Sequence, residues 1–231
     1  TFDYPYLHGE AMLKAGHSFV SASKNAAIAK AMFDTKRYAA IDLIMGKNKQ
    51  SKLGRLQPQR ELSFKTFSPA LQQAITDYCK AGGSLFVSGA YLGTDLWRNP
   101  LSTPQQQDID FAKHILKYQL RNDKAAVTGR LSTIVSPLTN DVLTLDYAAK
   151  PNTRCYAVES PDAIEPADSC AYTAFRYPEN NKSAGIVFGG NQTDHWRTVV
   201  LAVPFETIIE SKERTKLMQM ILNYLLQPSR F

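Results

Sequence analysis

The stretch Gly82–Asp95, which reads GGSLFVSGAYLGTD, decides the fold prediction because it couples an apolar run to a sharp corner. Two glycines precede the run, and Gly89 and Gly93 bracket the corner, with Tyr91 at its apex. Glycine adopts backbone conformations that other residues avoid, so this pattern is typical of a buried strand that turns tightly into a loop or helix. The identity of Tyr91 then determines whether the turn carries a nucleophile.

Upstream of this stretch, helical and strand patterns alternate. Residues 17–23 and 38–46 are short apolar runs that end in small or polar residues, which predicts two buried parallel strands. A helix is predicted before the central strand, with Ser68 as its N-cap, Pro69 at its first position and Gly82 at its end. Such alternation favours a parallel sheet covered by helices.

Downstream of this stretch the pattern changes. A helix is predicted from a Thr103 cap to about Leu120, and short strands with turn signals follow over residues 127–188. A buried strand near residues 197–208 and a closing amphipathic helix at 211–226 complete the chain. The predicted fold is α/β, a flavodoxin-like three-layer sandwich with a mostly parallel sheet and an antiparallel extension in the second half. We interpret residues 1–231 as one domain excised from a longer protein, and whether a first sheet strand precedes Thr1 stays open.

The charge of the chain is concentrated in one segment. The formal net charge is +6, and between Lys47 and Lys65 six basic residues face a single acid, Glu61. Such a segment either attracts an anionic polymer or forms a solvated loop. Aromatic residues do not alternate with these bases, so we predict no nucleic-acid partner. No run of 18 apolar residues occurs, so we predict no membrane insertion.

Candidate site residues follow from the predicted topology, because ligands bind beyond the carboxyl ends of parallel strands. Ser88 is the hydroxyl that could act as a nucleophile at the turn, and His195 is the candidate general base. Asp42, a carboxylate inside an apolar strand, must be paired or functional. We predict no metal site and no cofactor. The catalytic candidates are Tyr91, Ser88, Asp95, His195 and Glu206, and the binding candidates are Ser21, Ser23, Lys47, Lys49 and Lys52.

The helix ending in Gly-Gly, the strand and the G-x-x-x-G turn resemble the nucleophile region of the class I glutamine amidotransferase-like superfamily. Active members of that superfamily carry G-x-C-x-G at this turn and a histidine after a late strand. Here GAYLG places Tyr91 at the cysteine position, and AVPFET, residues 202–207, contains no histidine. The resemblance therefore implies an amidotransferase-like domain that has lost its catalytic groups, since a phenol is a much poorer nucleophile than a thiol.

A second resemblance covers most of the chain. Blocks such as TFDYPYLHGEAMLKAGHSFVSAS, ESPDAIEP and FRYPENNKSAGI are similar to large secreted Bacteroidetes proteins that carry the name xanthan lyase together with a golvesin-like domain. This resemblance implies an exported parent, located in the periplasm, at the cell surface or outside the cell, whose other domains would be partners of this one. Cys155 and Cys170 flank a turn-rich segment, so a disulfide between them is an open alternative that would accord with export.

Together these observations predict a catalytically degenerate domain that binds carbohydrate or cell-envelope material, with an anionic glycan as the partner of the basic segment. The alternative is a hydrolase or polysaccharide lyase with a site centred on Tyr91 at the strand ends, where the phenol would donate a proton.

Overall fold

A computed structural model describes residues 4–53, 62–98, 105–152 and 155–227, without the side chains of 51–53 and 62–64. The helices are α1 (Tyr4–Lys14), α2 (Lys24–Ala29), α3 (Pro69–Lys80), α4 (Leu92–Trp97), α5 (Gln106–Asp110) and α6 (Ser211–Leu225). A π-helical turn, Phe111–Ile115, continues α5, and a 3-10 turn spans Phe205–Thr207. The strands are β1 (Ala40–Gly46), β2 (Ser51–Leu53), β3 (Leu62–Phe64), β4 (Ser84–Gly89), β5 (Tyr118–Asn122), β6 (Arg130–Thr133), β7 (Thr144–Asp146), β8 (Ala163–Pro166), β9 (Ala171–Arg176), β10 (Ser183–Phe188) and β11 (Arg197–Leu201).

The main sheet is mixed rather than mostly parallel. Its seven described strands run in the order β1-β4-β11-β10-β9-β6-β7, and β2-β3 and β5-β8 form two small antiparallel pairs. Parallel pairing is confined to β1-β4 and β4-β11, whereas the remaining four ladders of the main sheet are antiparallel. The prediction of a flavodoxin-like sandwich with a mostly parallel sheet is therefore wrong for the described chain. The physical reason is that β6-β7, β9-β10 and β10-β11 are pairs of consecutive strands joined without a helical crossover, and such pairs are antiparallel.

Residues 17–23 account for part of this error. They form neither helix nor strand, and residues 18–23 are all exposed to solvent. The segment has the composition of a buried strand, but a strand requires a neighbour to satisfy its backbone N–H and C=O groups. Within the described ranges β1 pairs with β4 alone, so no ladder reaches this segment.

Two of the predicted helices are confirmed and one is wrong in its extent. The Ser68 side chain accepts a hydrogen bond from the Leu71 N–H at 3.3 Å as the N-cap of α3, and Pro69 is the first residue of that helix. The helix α6 buries the predicted apolar face against the sheet. The helix predicted to reach Leu120 ends at the π-helical turn, since Tyr118–Asn122 forms β5 by pairing with β8. Thr103 lies outside the described residues.

The core has one layer on each face of the sheet, and β4 contributes to both. Phe86 of β4 packs with α1 and α6, whereas Leu85 and Val87 pack with α3 on the opposite face. This alternation follows from the two-residue period of a strand, and every residue of β4 is buried. The sheet therefore fixes where β4 ends, which is the position of the turn at Tyr91.

None of the described helices combines the length and the apolar character needed to cross a membrane.

Candidate functional site

The three parallel strands end at one edge of the sheet, at Gly46 of β1, Gly89 of β4 and Leu201 of β11. We call this the carboxyl edge, and the opposite edge, where Ser84 and Arg197 are paired, the amino edge. Side chains that follow the strand ends converge there because parallel strands end side by side.

Tyr91 lies at the carboxyl edge, at the N-cap position of α4. Its ring is half-buried and packs against the core layer that contains α1 and α6. The Lys49 ammonium lies 4.8 Å from the centre of the ring, within the range of a cation–π contact. Burial raises the pKa of the phenol, and the charge of Lys47 and a hydrogen bond with Ser160 oppose that shift only in part. Burial therefore favours the neutral phenol, which is a poor nucleophile.

Lys47 and Lys49 both lie beside Tyr91, which brings two of the three predicted binding lysines together. Lys47 donates a hydrogen bond to Glu159 at 2.6 Å, and both side chains of this pair are partly exposed. An exposed ion pair of this kind contributes about 0.2–1 kcal/mol. Lys52 belongs to β2, and its side chain lies outside the described residues.

Ser88 is next to the turn in sequence but is inaccessible. Its side chain is completely buried at the end of β4, and its Oγ has no hydrogen-bond partner among the described residues. A serine nucleophile requires both a neighbouring base and contact with substrate. Ser88 has neither in the described structure.

Asp95 lies one turn into α4 and is also buried. Its Oδ1 accepts hydrogen bonds from the Gln50 N–H and from the Thr66 hydroxyl, the latter at 3.0 Å. Burial raises the pKa of this carboxyl, and the two hydrogen bonds oppose the shift. Asp95 therefore ties α4 to the chain that follows β1.

His195 lies at the other end of the sheet. It is exposed in the loop before β11, which begins with Arg197 opposite Ser84 at the amino edge. The five residues of β11 separate it from the carboxyl edge by roughly 16 Å. His195 and Tyr91 are thus not brought together, and the candidate general base does not reach the turn.

Glu206 does reach the carboxyl edge, where it forms a buried network that joins four distant segments. Its Oε2 lies 3.2 Å from His8 Nε2, and its Oε1 accepts a hydrogen bond from the Tyr156 hydroxyl at 2.7 Å. The other ring nitrogen of His8, Nδ1, lies 2.6 Å from Asp42 Oδ2. Asp42, which was expected to be either paired or functional, is paired, and its partner is a histidine of α1.

The charge state of His8 follows from this geometry. Burial alone would lower the pKa of the imidazole, but the charges of Asp42 and Glu206 and the hydrogen bonds to them outweigh burial and raise the pKa to about 9. His8 is therefore an imidazolium at neutral pH that donates one N–H to each carboxylate. The network anchors α1 to β1 and to the chain after β11, with His8 and Glu206 both 1% exposed.

Asp162, which is not among the candidates predicted from the sequence, holds the turn at Tyr91 through hydrogen bonds to residues on both sides of it. Its carboxylate accepts hydrogen bonds from the N–H and the hydroxyl of Thr94, both at 2.6 Å, and its own N–H donates to the Ala90 carbonyl at 2.9 Å. Burial raises the pKa of Asp162 to about 7, against the effect of these hydrogen bonds. The signal that could have identified it is a single carboxylate immediately before an apolar strand.

The serines predicted to bind a ligand serve local structure or remain exposed. The Ser23 hydroxyl accepts a hydrogen bond from the Ala26 N–H at 3.2 Å and caps α2. Ser21 is exposed within residues 17–23. Neither contacts the residues around Tyr91 in any described hydrogen bond.

Metal and thiol chemistry find no support in the described part of the chain. No group of three or more His, Cys, Asp or Glu side chains there could hold a metal ion. Cys155 and Cys170 are both free thiols, so the alternative of a bridge between them is not realised. Burial raises the pKa of Cys155 to about 11, which keeps the thiol protonated and unreactive.

Chemically, the carboxyl edge combines an aromatic ring, two lysines and an acidic neighbour, without a nucleophile–base pair among the described side chains. Such a surface can contact and orient an anion or a polar ring.

Comparisons with known proteins show likeness in fold alone. No protein-family model and no curated protein sequence matches the chain. The exo-β-1,4-mannosidase Op5Man5 from Opitutaceae bacterium strain TAV5 superposes with a TM-score of 0.55 at 9% identity, over 98% of this chain and 31% of its own. The cold-adapted β-galactosidase from Rahnella sp. R3 gives 0.55 at 11% identity, over 98% of this chain and 27% of its own.

A third similar structure is much shorter. The N-terminal domain of mmIFT52 has a TM-score of 0.55 at 11% identity and covers 98% of this chain and 92% of its own. This chain thus corresponds to less than a third of the mannosidase and galactosidase chains but to nearly the whole of a separate domain. Similar folds therefore occur both within long mannosidase and galactosidase chains and as the N-terminal domain of mmIFT52.

Proposed function

We propose that this chain is a catalytically inactive, amidotransferase-like domain of an exported bacterial protein and that it binds an anionic glycan or cell-envelope polymer. One observation carries the proposal: at the carboxyl edge the Tyr91 ring and the Lys47 and Lys49 ammonium groups lie together, and no nucleophile–base pair is present among the described side chains. The turn has the shape of a nucleophile turn but presents a binding surface.

The chemistry of these three side chains suits an acidic saccharide. An aromatic ring offers a flat apolar surface to the C–H face of a sugar, and ammonium groups attract its carboxylates over a longer range. The Lys47–Glu159 pair is partly exposed, so a carboxylate of the ligand can replace Glu159 at little energetic cost. The formal net charge of +6 favours the approach of an anionic polymer.

The context of the proposal comes from likeness to other proteins. The G-x-x-x-G turn supports the amidotransferase-like assignment, and export rests on the resemblance to secreted Bacteroidetes proteins. Two of the structurally similar chains are named as glycosidases, which makes a saccharide the first ligand to test. This chain matches less than a third of each of those long chains. What the complete parent protein does is therefore also a proposal.

One observation favours a second candidate, a hydrolase or lyase in which Tyr91 donates a proton. The raised pKa of this phenol keeps the proton on the oxygen, as a general acid requires. The candidate still lacks a described base within reach of a substrate bound at Tyr91. Replacing Tyr91 with Phe separates the two functions, because turnover would disappear whereas stacking of a sugar on the ring would persist.

The binding proposal is tested with an oligogalacturonate and an uncharged cello-oligosaccharide of the same length, measured by isothermal titration calorimetry. We expect the protein to bind the anionic probe more tightly, and the double substitution Lys47→Ala and Lys49→Ala to weaken that binding at least about tenfold. The matched control is Lys36→Ala with Lys80→Ala, which removes the same charge from exposed positions beside the amino ends of β1 and β4. Equal weakening by both double variants, or no binding of the anionic probe, would overturn the proposal.

A further inference from the structure

The outer edge of β1 carries main-chain groups that no described strand uses. Within the described ranges β1 pairs with β4 on one side and with no strand on the other. Edge strands of natural proteins usually carry lysines, prolines or bulges that discourage further pairing. β1 reads AIDLIMG, without lysine or proline, and its one irregularity lies at its carboxyl end, between Ile44 and Gly46. Residues 40–44 are therefore open to an added strand.

A cleft of about 720 Å³ runs along this free edge. Residues 37–44 line it without a gap, and so do residues 17–24. The side chains of an extended segment point alternately to opposite faces, so an unbroken run of lining residues means that the main chain itself borders the cleft. In residues 18–22 no main-chain N–H or C=O takes part in a described hydrogen bond. Two extended segments therefore offer main-chain donors and acceptors to the cleft.

The second of these segments, residues 17–24, is fastened to the rest of the protein at two points. The ring of Phe19 occupies the space that a Cβ at Gly9 would need, so the glycine lets this ring pack directly on α1. At the end of the segment the Lys24 ammonium donates a hydrogen bond to the Thr66 carbonyl at 3.3 Å. The cleft is thus formed in the free protein, which lowers the cost of ordering that a ligand has to overcome.

The side chains that line the cleft are apolar on both faces of β1. Met12, Met218 and Leu222 line it from the core layer that contains α1 and α6. Phe33 lines it from the opposite layer, which contains α3. An extended chain beside β1 would point its side chains alternately into these two layers, so apolar residues suit every position of it.

The two ends of the cleft are basic. Arg37 lies three residues before β1, at the amino end of that strand. Lys24 lies at the other end, because its partner Thr66 bonds Asp95 beyond the carboxyl end of β4. Asp42 is the one acidic residue among the described residues that line the cleft. Charge complementarity therefore favours a ligand with acidic groups at its ends.

We propose that this cleft binds an extended peptide segment of a partner protein, which adds to the free edge of β1. About five or six apolar residues cover the regular part of β1, residues 40–44, and acidic residues flank them at each end. Main-chain hydrogen bonds to β1 supply affinity, and the apolar layers and basic ends supply selectivity. An apolar ligand without hydrogen-bonding groups would cover the main-chain N–H and C=O groups of this edge without pairing them, which is unfavourable. The site is separate from the surface at Tyr91, which does not line the cleft.

The probe is the synthetic peptide acetyl-Asp-Asp-Val-Ile-Val-Ile-Val-Asp-Asp-amide, and the control probe carries N-methyl groups on the apolar residues of the same sequence. Isothermal titration calorimetry with residues 1–231 should show binding of the unmodified peptide that is at least about tenfold tighter, because methylation removes N–H donors and keeps the apolar side chains. In the complex, hydrogen exchange should slow on the order of tenfold or more for amides in residues 40–44. The amides of β4, which has a neighbour on both sides, should change much less.

A matched pair of variants locates the site on the protein. Ala27→Trp places a large ring in the cleft and should weaken binding of the peptide at least about tenfold. Ala29→Trp changes the same helix at an exposed position that does not line the cleft and should leave binding unchanged.

Three results would overturn the proposal. Equal binding of the two peptides would assign the cleft to apolar ligands, since main-chain pairing would then contribute nothing. Absence of binding, or equal binding to the variants Ala27→Trp and Ala29→Trp, would remove the peptide from the cleft. Protection of residues 40–44 that grows with protein concentration in the absence of peptide would assign the edge to a second copy of this chain.

Discussion

Two apolar segments, β4 and residues 17–23, have similar composition and contrasting environments. β4 lies between β1 and β11, and all six of its residues are buried. Residues 17–23 pair with no described strand, and the side chains of Phe19 and Val20 are exposed to solvent. The difference teaches that an apolar run becomes a strand only where neighbours satisfy its backbone, because an unpaired N–H or C=O cannot be buried without cost.

The largest expected effect comes from proline at the centre of each segment. Val87→Pro removes an N–H from a strand with partners on both sides and should cost more than about 3 kcal/mol, enough to abolish cooperative folding. Val20→Pro should change the free energy of unfolding by less than about 1 kcal/mol, since residues 17–23 contribute to no ladder. Urea denaturation followed by circular dichroism measures both.

A comparable loss in both proline variants would mean that residues 17–23 are paired in solution.

The difference between the segments also explains what could be predicted from the sequence. The cap at Ser68, the apolar stripe of α3 and the glycine-bounded turn after β4 are local signals, and each corresponds to a described feature. Residues 17–23 carry equally good local signals, but no described strand pairs with them, and they form no strand. The prediction of a mostly parallel sheet is wrong because local composition does not show which segments pair.

In the candidate site, too, local sequence signals identify residues but do not identify their partners. Asp42 could be identified because a charge in an apolar strand requires a partner, yet His8 lies 34 residues away and nothing local links the two. His195 is a candidate base by residue type, but it precedes β11 and therefore lies at the amino edge, away from the turn. Pairings over such distances depend on tertiary packing, which spacing along the chain does not reveal.

Substitution of one aromatic residue in each segment should give the next largest difference. Phe86 is 1% exposed and its ring packs against those of His8 and Phe205, so Phe86→Ala should cost about 3–5 kcal/mol. Phe19 is 42% exposed, and we expect Phe19→Ala to cost about 1 kcal/mol or less. Chemical denaturation at a fixed pH measures both, and similar midpoints for the two variants would contradict the contrast in packing.

His8 fixes α1 against β1 and should make stability depend on pH. Its pKa is raised from 6.5 to about 9 in the folded protein, so the folded state binds the proton more tightly. The stabilisation is fully present below pH 6.5 and is lost as the pH rises through 9, with a total of roughly 3 kcal/mol. Denaturation midpoints measured between pH 6 and pH 10 give the slope.

The variant His8→Gln should remove most of this slope, and His17→Gln, which alters a histidine outside the network, should keep it. A slope that survives in His8→Gln would assign the pH dependence to another group. In that case packing alone, and not the ion pairs of His8 with Asp42 and Glu206, would hold α1 against β1.

The smallest expected effect separates the two ends of β4 itself. At the amino edge the Ser84 hydroxyl donates to the Leu225 carbonyl at 2.8 Å, which satisfies an acceptor left open at the end of α6. At the carboxyl edge the Ser88 hydroxyl is buried without a described partner. We expect Ser84→Ala to cost about 1 kcal/mol, and Ser88→Ala to be neutral or to stabilise by up to about 1 kcal/mol, because it removes an unsatisfied polar group. A clear loss of stability in Ser88→Ala, measured by thermal and urea denaturation, would show that this hydroxyl has a partner in solution, and Ser88 would regain its interest as a functional residue beside Tyr91.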